Sequence, residues 1–129
     1  EYALDQDLIT TGELLPLGPL DQLNRGLNLA GTNFDTPLRI GEGQPAEALL
    51  IRSDGYGLKY SADSKYYKHW VLYTKGEADE FLCIEPYTWL PDAPNLAAGP
   101  DLTGLIRIEP KASIEMDLTL DMIYPSEEN

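Results

Sequence analysis

The chain has 129 residues, 43% of them hydrophobic, and a formal net charge of -13 from 22 acidic against 9 basic side chains. The length suffices for one domain with a real core, and the hydrophobic share excludes an intrinsically disordered chain. No apolar run approaches the roughly 20 residues of a spanning helix, and the acidic balance speaks against nucleic acid and anionic membranes and suits a neutral ligand.

The N-terminal run Glu1-Tyr2-Ala3-Leu4-Asp5-Gln6-Asp7 is polar and acidic, without a secretory leader pattern. The first residue is not methionine, which suits a processed chain or a fragment. Asp7-Leu8-Ile9-Thr10-Thr11 reads as a short strand with a turn at Gly12. Between Pro19 and Ala30 a short helix is expected around Leu20-Asp21-Gln22-Leu23-Asn24. Ala48 to Arg52 and Tyr56 to Tyr60 read as the arms of a hairpin. Asp54-Gly55 lies between them, a dipeptide favoured in tight turns because both central residues must tolerate positive φ.

Trp70 to Thr74 is the next expected strand, followed by a turn at Gly76 and the acidic run Glu77 to Glu80. Phe81 to Ile84 is nearly all apolar, which predicts a strand buried on both faces. Pro91 to Asp101 contains Pro91, Pro94, Gly99 and Pro100 and reads as a long ordered loop, a feature often tied to function. Leu105 to Ile108 is expected to pair, through a turn at Glu109-Pro110-Lys111, with a long last strand from Ser113 to Tyr124. There Ile114, Met116, Leu118, Leu120 and Met122 alternate with Glu115, Asp117, Thr119 and Asp121. A strict period of two means one buried and one wet face. So long a strand asks for a larger sheet than this chain alone provides. Pro125 to Asn129 reads as a frayed tail. The expected fold class is all-β with antiparallel sheets, with no internal repeat or linker.

Glu85 is the residue that invites a functional explanation. It follows Leu82-Cys83-Ile84 and precedes Pro86, so the backbone that aims its carboxylate is stiff and extended. A carboxylate held that way can serve as a general base. The ordinary alternative is a glutamate that pairs with a basic residue or caps a loop. Asp35 precedes Thr36-Pro37, where a turn aspartate bonding to the backbone is the common role. His69 is the only histidine, which rules out a multi-histidine metal site in the chain, and a surface or strand-end role is expected for it. No metal site and no cofactor are expected. Cys83 is the only cysteine, so no internal disulfide is possible. It reads as a buried inert thiol and is compatible with the cytoplasm.

Several segments, in order, resemble the C-terminal portion of aldose 1-epimerases, the galactose mutarotases. Leu8-Ile9-Thr10-Thr11-Gly12-Glu13-Leu14-Leu15-Pro16 resembles the family's IPTGE…P segment. Phe34-Asp35 resembles its F/L-D element, Trp70 to Thr74 its LQVYT strand, and Cys83-Ile84-Glu85-Pro86 with Pro91-Asp92-Ala93-Pro94-Asn95 its CIEPQ…PDAPN signature. The last strand resembles the family's closing strand. The resemblance implies that residues 1–129 are the C-terminal portion of a galactose-mutarotase-like β-supersandwich. It implies an enzyme that interconverts the α and β anomers of a free hexose of the glucose or galactose type. Glu85 would be the general base and Asp35 a contact to sugar hydroxyls. The family's acid is a histidine in an earlier NHTYFNL-type segment, which this chain lacks, so its partner would be the missing N-terminal portion. Tyr87-Thr88-Trp89-Leu90 stands where the family commonly has a glutamine-containing run. The competing expectation is a non-catalytic carbohydrate-binding β-sandwich module. A sugar-phosphate epimerase would need clustered arginines, and only Arg25, Arg39, Arg52 and Arg107 are present.

Overall fold

The computed structural model describes residues 1–75 and 81–126. The expected acidic turn at 76–80 and the end of the tail lie outside the described residues. The fold is all-β: a two-stranded and two three-stranded sheets, with every strand pairing among the described residues antiparallel. In chain order the strands are β1 (Tyr2–Leu4), β2 (Thr10–Leu14), β3 (Asp35–Arg39), β4 (Ala46–Ile51), β5 (Gly57–Ala62), β6 (His69–Tyr73), β7 (Cys83–Tyr87) and β8 (Leu118–Ile123). The sheet orders are β1-β2, β3-β6-β7 and β4-β5-β8. No helix among the described residues is long and apolar enough to cross a membrane.

The N-terminal strand begins later than the sequence suggests. Leu8 and Ile9 belong to a turn, with Leu8 at φ 61, because Asp5 captures it. The Asp5 carboxylate accepts the amides of Asp7 and Ile9 at 2.9 and 3.0 Å. An aspartate that satisfies nearby backbone donors competes directly with strand pairing. Gly12 is no turn either. It lies inside β2 at φ 83, where the register against β1 shifts.

The hairpin over β4 and β5 forms as expected, with Leu50 opposite Leu58 and Ala48 opposite Tyr60. Its turn is looser than the Asp54-Gly55 dipeptide implied. Gly55 is at φ 86 while Asp54 keeps a negative φ, and the amide of Gly55 bonds to Arg52 O and that of Arg52 to Tyr56 O. This is a three-residue loop closed by a left-handed glycine. The short helix is present as a 3-10 helix over Gly18–Asn24.

Two expectations about the C-terminal half are corrected. The last strand is confined to Leu118–Ile123, and it pairs with β5 rather than with Leu105 to Ile108. The cause is the partner: β5 ends at Ala62 opposite Leu118, and the chain turns at Asp63, whose carbonyl accepts from Tyr66 and Tyr67. Residues 113–117 alternate correctly, but beyond the Asp63 amide on Asp117 O no strand among the described residues pairs with them. The turn at Glu109 to Ala112 does form, with Lys111 at φ 68. In addition, β7 starts at Cys83 and runs through Pro86 to Tyr87, half-buried along its length, and Phe81 is exposed. A proline is tolerated there because β7 is an edge strand of its sheet.

Packing follows the pairing. One face of the β3-β6-β7 sheet carries Trp70 and Leu72, both buried. Trp70 meets Tyr60 of β5 edge-on, centroids 6.2 Å apart. The same register puts Ala46, Ala48, Leu50, Leu58, Tyr60, Leu118, Leu120 and Met122 on one face of the β4-β5-β8 sheet. That apolar face is covered at Ala46 (1% exposed) but open on β8, where Leu118, Leu120 and Met122 are 47, 52 and 58% exposed. A second cluster gathers Tyr2, Leu90 and Ala93 with Leu96, Leu102 and Leu105. It stitches β1 to the segment read as a loop, which contains a 3-10 turn (Ala93–Asn95) and one helical turn, α1 (Pro100–Thr103).

This difference in cover predicts a difference in cost. Leu72→Ala removes a buried side chain and should cost about 2–5 kcal/mol in urea unfolding. Leu120→Ala on the open face should cost no more than about 0.5 kcal/mol. Equal costs for the two would contradict this packing.

Candidate functional site

The site is built on the β3-β6-β7 sheet. Directly paired residues of an antiparallel sheet share a face, and the faces alternate along each strand. The pairs Asp35–Tyr73–Cys83, Pro37–Val71–Glu85 and Arg39–His69–Tyr87 therefore lie on one side. Thr36, Leu38, Trp70, Leu72, Ile84 and Pro86 lie on the other, packed side. Both acidic residues singled out from sequence thus stand on the same face, one on each edge strand. They are offset by one intervening strand and two residues of register. On ordinary strand spacing their Cα atoms are about 12 Å apart.

Glu85 lies in the middle of β7 rather than at a strand end, and it is half-buried. Its carboxylate has a specific partner that sequence reading missed: the Tyr87 hydroxyl donates to Glu85 Oε2 at 3.0 Å. The i, i+2 spacing on a strand was the available signal, since it places two side chains side by side. The Tyr87 phenol is pushed up in pKa by its burial, and further by the Glu85 bond and charge. It therefore stays a donor at neutral pH. Asp35 is exposed and is the first residue of β3. It shares the face with Glu85 but does not line the cleft beside it.

That cleft, of about 360 Å3, opens between β4–β5 and β7. Ala48, Leu50, Leu58 and Tyr60 line one side, and the run Leu82 to Glu85 lines the other. Its volume is within the usual range of small-molecule sites. A second cleft, of about 440 Å3, lies among Ala93 to Arg107, away from both acidic residues. Cys83 borders the first cleft as a free thiol and is half-buried rather than fully buried.

His69 is neither at the surface nor free to reach the cleft. It is 0% exposed. Tyr2 packs against its ring edge-on at 5.5 Å. Its Nε2 is 3.3 Å from Thr103 O. A carbonyl can only accept, so Nε2 carries the proton. Nδ1 has no hydrogen-bond partner among the described residues. Burial pushes the His69 pKa down to about 4, with a smaller opposing pull from the Thr103 carbonyl and further downward pushes from the Arg39 and Lys68 charges. Gly104 makes this closeness possible. At φ 73, a Cβ there would run into Thr88 O and sit 3.0 Å from His69 Nε2.

The remaining groups are dispersed. Arg25 and Arg52 pair with Asp21 and Asp54 at 2.6 and 2.8 Å, and Arg39 donates to Asp101 O at 3.2 Å. Among the described residues no group of three or more His, Cys, Asp and Glu side chains is placed to hold a metal ion. No protein-family model matches the chain.

The buried neutral imidazole has a pH signature. The folded-state pKa lies below the unfolded 6.5, so the stabilising contribution is intact above pH 6.5 and lost as pH falls toward about 4. The urea midpoint of the parent should therefore drop between about pH 7.5 and about pH 4.5 more steeply than that of His69→Phe. Identical slopes would show that His69 is not held neutral.

Proposed function

We propose that the chain is the base-bearing C-terminal portion of an aldose 1-epimerase acting on a free hexose of the glucose or galactose type. The carrying observation is that register sets Glu85 and Asp35, the two residues the resemblance names, on one face of one sheet. A net charge of -13 favours a neutral sugar over an anionic one.

In this reading Glu85 takes the proton of the anomeric hydroxyl. That O–H electron pair becomes the carbonyl bond at C1. The bond from C1 to the ring oxygen breaks, and the ring oxygen is protonated by an acid. The open-chain aldehyde rotates and recloses on its other face. Asp35 holds sugar hydroxyls. His69 does not suit the role of the acid: it is sealed under Tyr2 and held neutral. The acid is assigned to the N-terminal portion of the protein. The exposed Leu118, Leu120 and Met122 are the surface against which that portion packs. A cytoplasmic location belongs to the same reading.

A non-catalytic sugar-binding module is the second reading, and what favours it is that the one histidine is sealed beneath Tyr2 instead of standing beside Glu85. The arginines are spread over separate segments, with Arg25, Arg52 and Arg39 engaged by Asp21, Asp54 and Asp101, and give no support to a sugar-phosphate substrate.

Polarimetry of glucose and galactose mutarotation by the full-length protein tests the proposal. Glu85→Gln should lower kcat by about 10²-fold or more, the scale of a lost general base. Asp35→Asn should act mainly on KM, by up to about tenfold. A full-length protein that binds sugar without speeding mutarotation would establish the binding-module reading instead, and an unchanged Glu85→Gln rate would end the role given to Glu85.

A further inference from the structure

We propose that Tyr87 is the positioning residue of Glu85: its hydroxyl holds Oε2 and leaves Oε1 as the atom that takes the anomeric proton. This rests on the epimerase reading above and assigns the atoms within it. Glu85 and Tyr87 are two apart on β7 and share its face. The hydroxyl donates to Oε2 at 3.0 Å, and among the described residues Oε1 accepts no side-chain hydrogen bond.

Three features make Tyr87 a fixed reference rather than a chance neighbour. Pro86 lies between the two residues and restricts the backbone that joins them. Tyr87 is paired across the strands with His69, which is wholly buried and bonded to Thr103 O. The backbone of Tyr87 is tied down too, its carbonyl accepting the Lys68 amide at 3.1 Å. The backbone of Glu85 is held as well, paired with Val71 and followed by Pro86, but its side chain is not. It is a long, flexible side chain on an edge strand, and its carboxylate rotates freely unless something holds it. A reacting carboxylate must meet its proton in a narrow range of geometry. Tethering one oxygen supplies that.

Oε1 accepts the proton of the anomeric hydroxyl, and that O–H pair forms the C1 carbonyl. The pair of the broken ring bond goes to the ring oxygen, which takes a proton from the imidazolium-type acid of the N-terminal portion. Tyr87 exchanges no proton. It is a donor before and after the step, and its hydrogen bond turns the spent carboxylic acid so that the same Oε1 can return the proton.

Two measurements on the full-length protein test the assignment. The first is Tyr87→Phe, which keeps the ring and removes the hydroxyl. Its mutarotation kcat should fall by about ten- to a hundredfold, the scale of one hydrogen bond to a charged group, with KM within about twofold. The second needs no activity. The Tyr87 phenol, followed by its NMR shift, should titrate at lower pH in Glu85→Gln than in the parent. A kcat for Tyr87→Phe equal to that of the parent, alongside an inactive Glu85→Gln, overturns the positioning role and leaves the base intact. An active Glu85→Gln overturns the base itself. An unmoved phenol titration overturns the contact whatever the activity.

Discussion

Side chains at 69, 71 and 73 of β6 all face one way, because a strand alternates with a period of two. The central strand β6 is paired on both edges, with β3 and with β7. Its register therefore decides which residues of the neighbours share a face. A slip of one residue would carry Glu85 or Asp35 to the packed side and bring Ile84 or Thr36 out. The opposite face resists such a slip, since Trp70 and Leu72 are buried there and Trp70 meets Tyr60. His69 resists it from the other side, sealed beneath Tyr2 and bonded to Thr103 O. The one histidine of the chain is thus an anchor of the sheet that carries Glu85.

The same anchor joins the sheet to the segment after β7. Leu90 donates to Thr103 O, Thr10 donates to Pro91 O at 2.7 Å, and Tyr2 donates to Leu102 O at 3.3 Å. A stretch rich in proline is thereby fixed against β1, β2 and β6. Glu85 and Tyr87 lie on the edge strand just before this segment, so one end of β7 is rigidly held. The other end leads into Cys83 and Leu82 at the cleft. Function would then depend on a carboxylate whose backbone is held firmly and whose side chain is held by a single phenol.

The sequence was legible where local pattern and partner agree. The β4–β5 hairpin, the β6 strand and the 3-10 helix follow from turn chemistry and apolar spacing, and the all-β class follows from them together. It misled where the outcome depends on something far away. The alternation from Ile114 to Met122 is real, but strand pairing stops at Leu118 because β5 ends at Ala62. Leu8 and Ile9 look like strand residues, and the Asp5 carboxylate turns them out to solvent. Glu85 and Asp35 could each be picked out from the chain. Their common face could not, since it needs the register of a third strand lying between them. Tyr87 was visible as a neighbour of Glu85 at strand spacing, yet its bond competes with every other orientation of two flexible side chains. The burial of His69 depends on Tyr2, which is 67 residues away in sequence, and no local signal carries that.

The central claim is that one face of the β3-β6-β7 sheet receives a sugar. An amide-shift titration of the isotope-labelled protein with galactose, and then with glucose, tests it most directly. The account predicts that the largest shifts fall on Asp35, Val71, Glu85 and Tyr87, with the open β8 face unmoved. Shifts confined to the cleft between Ala93 and Arg107, or no shift at any residue with either sugar, would contradict it.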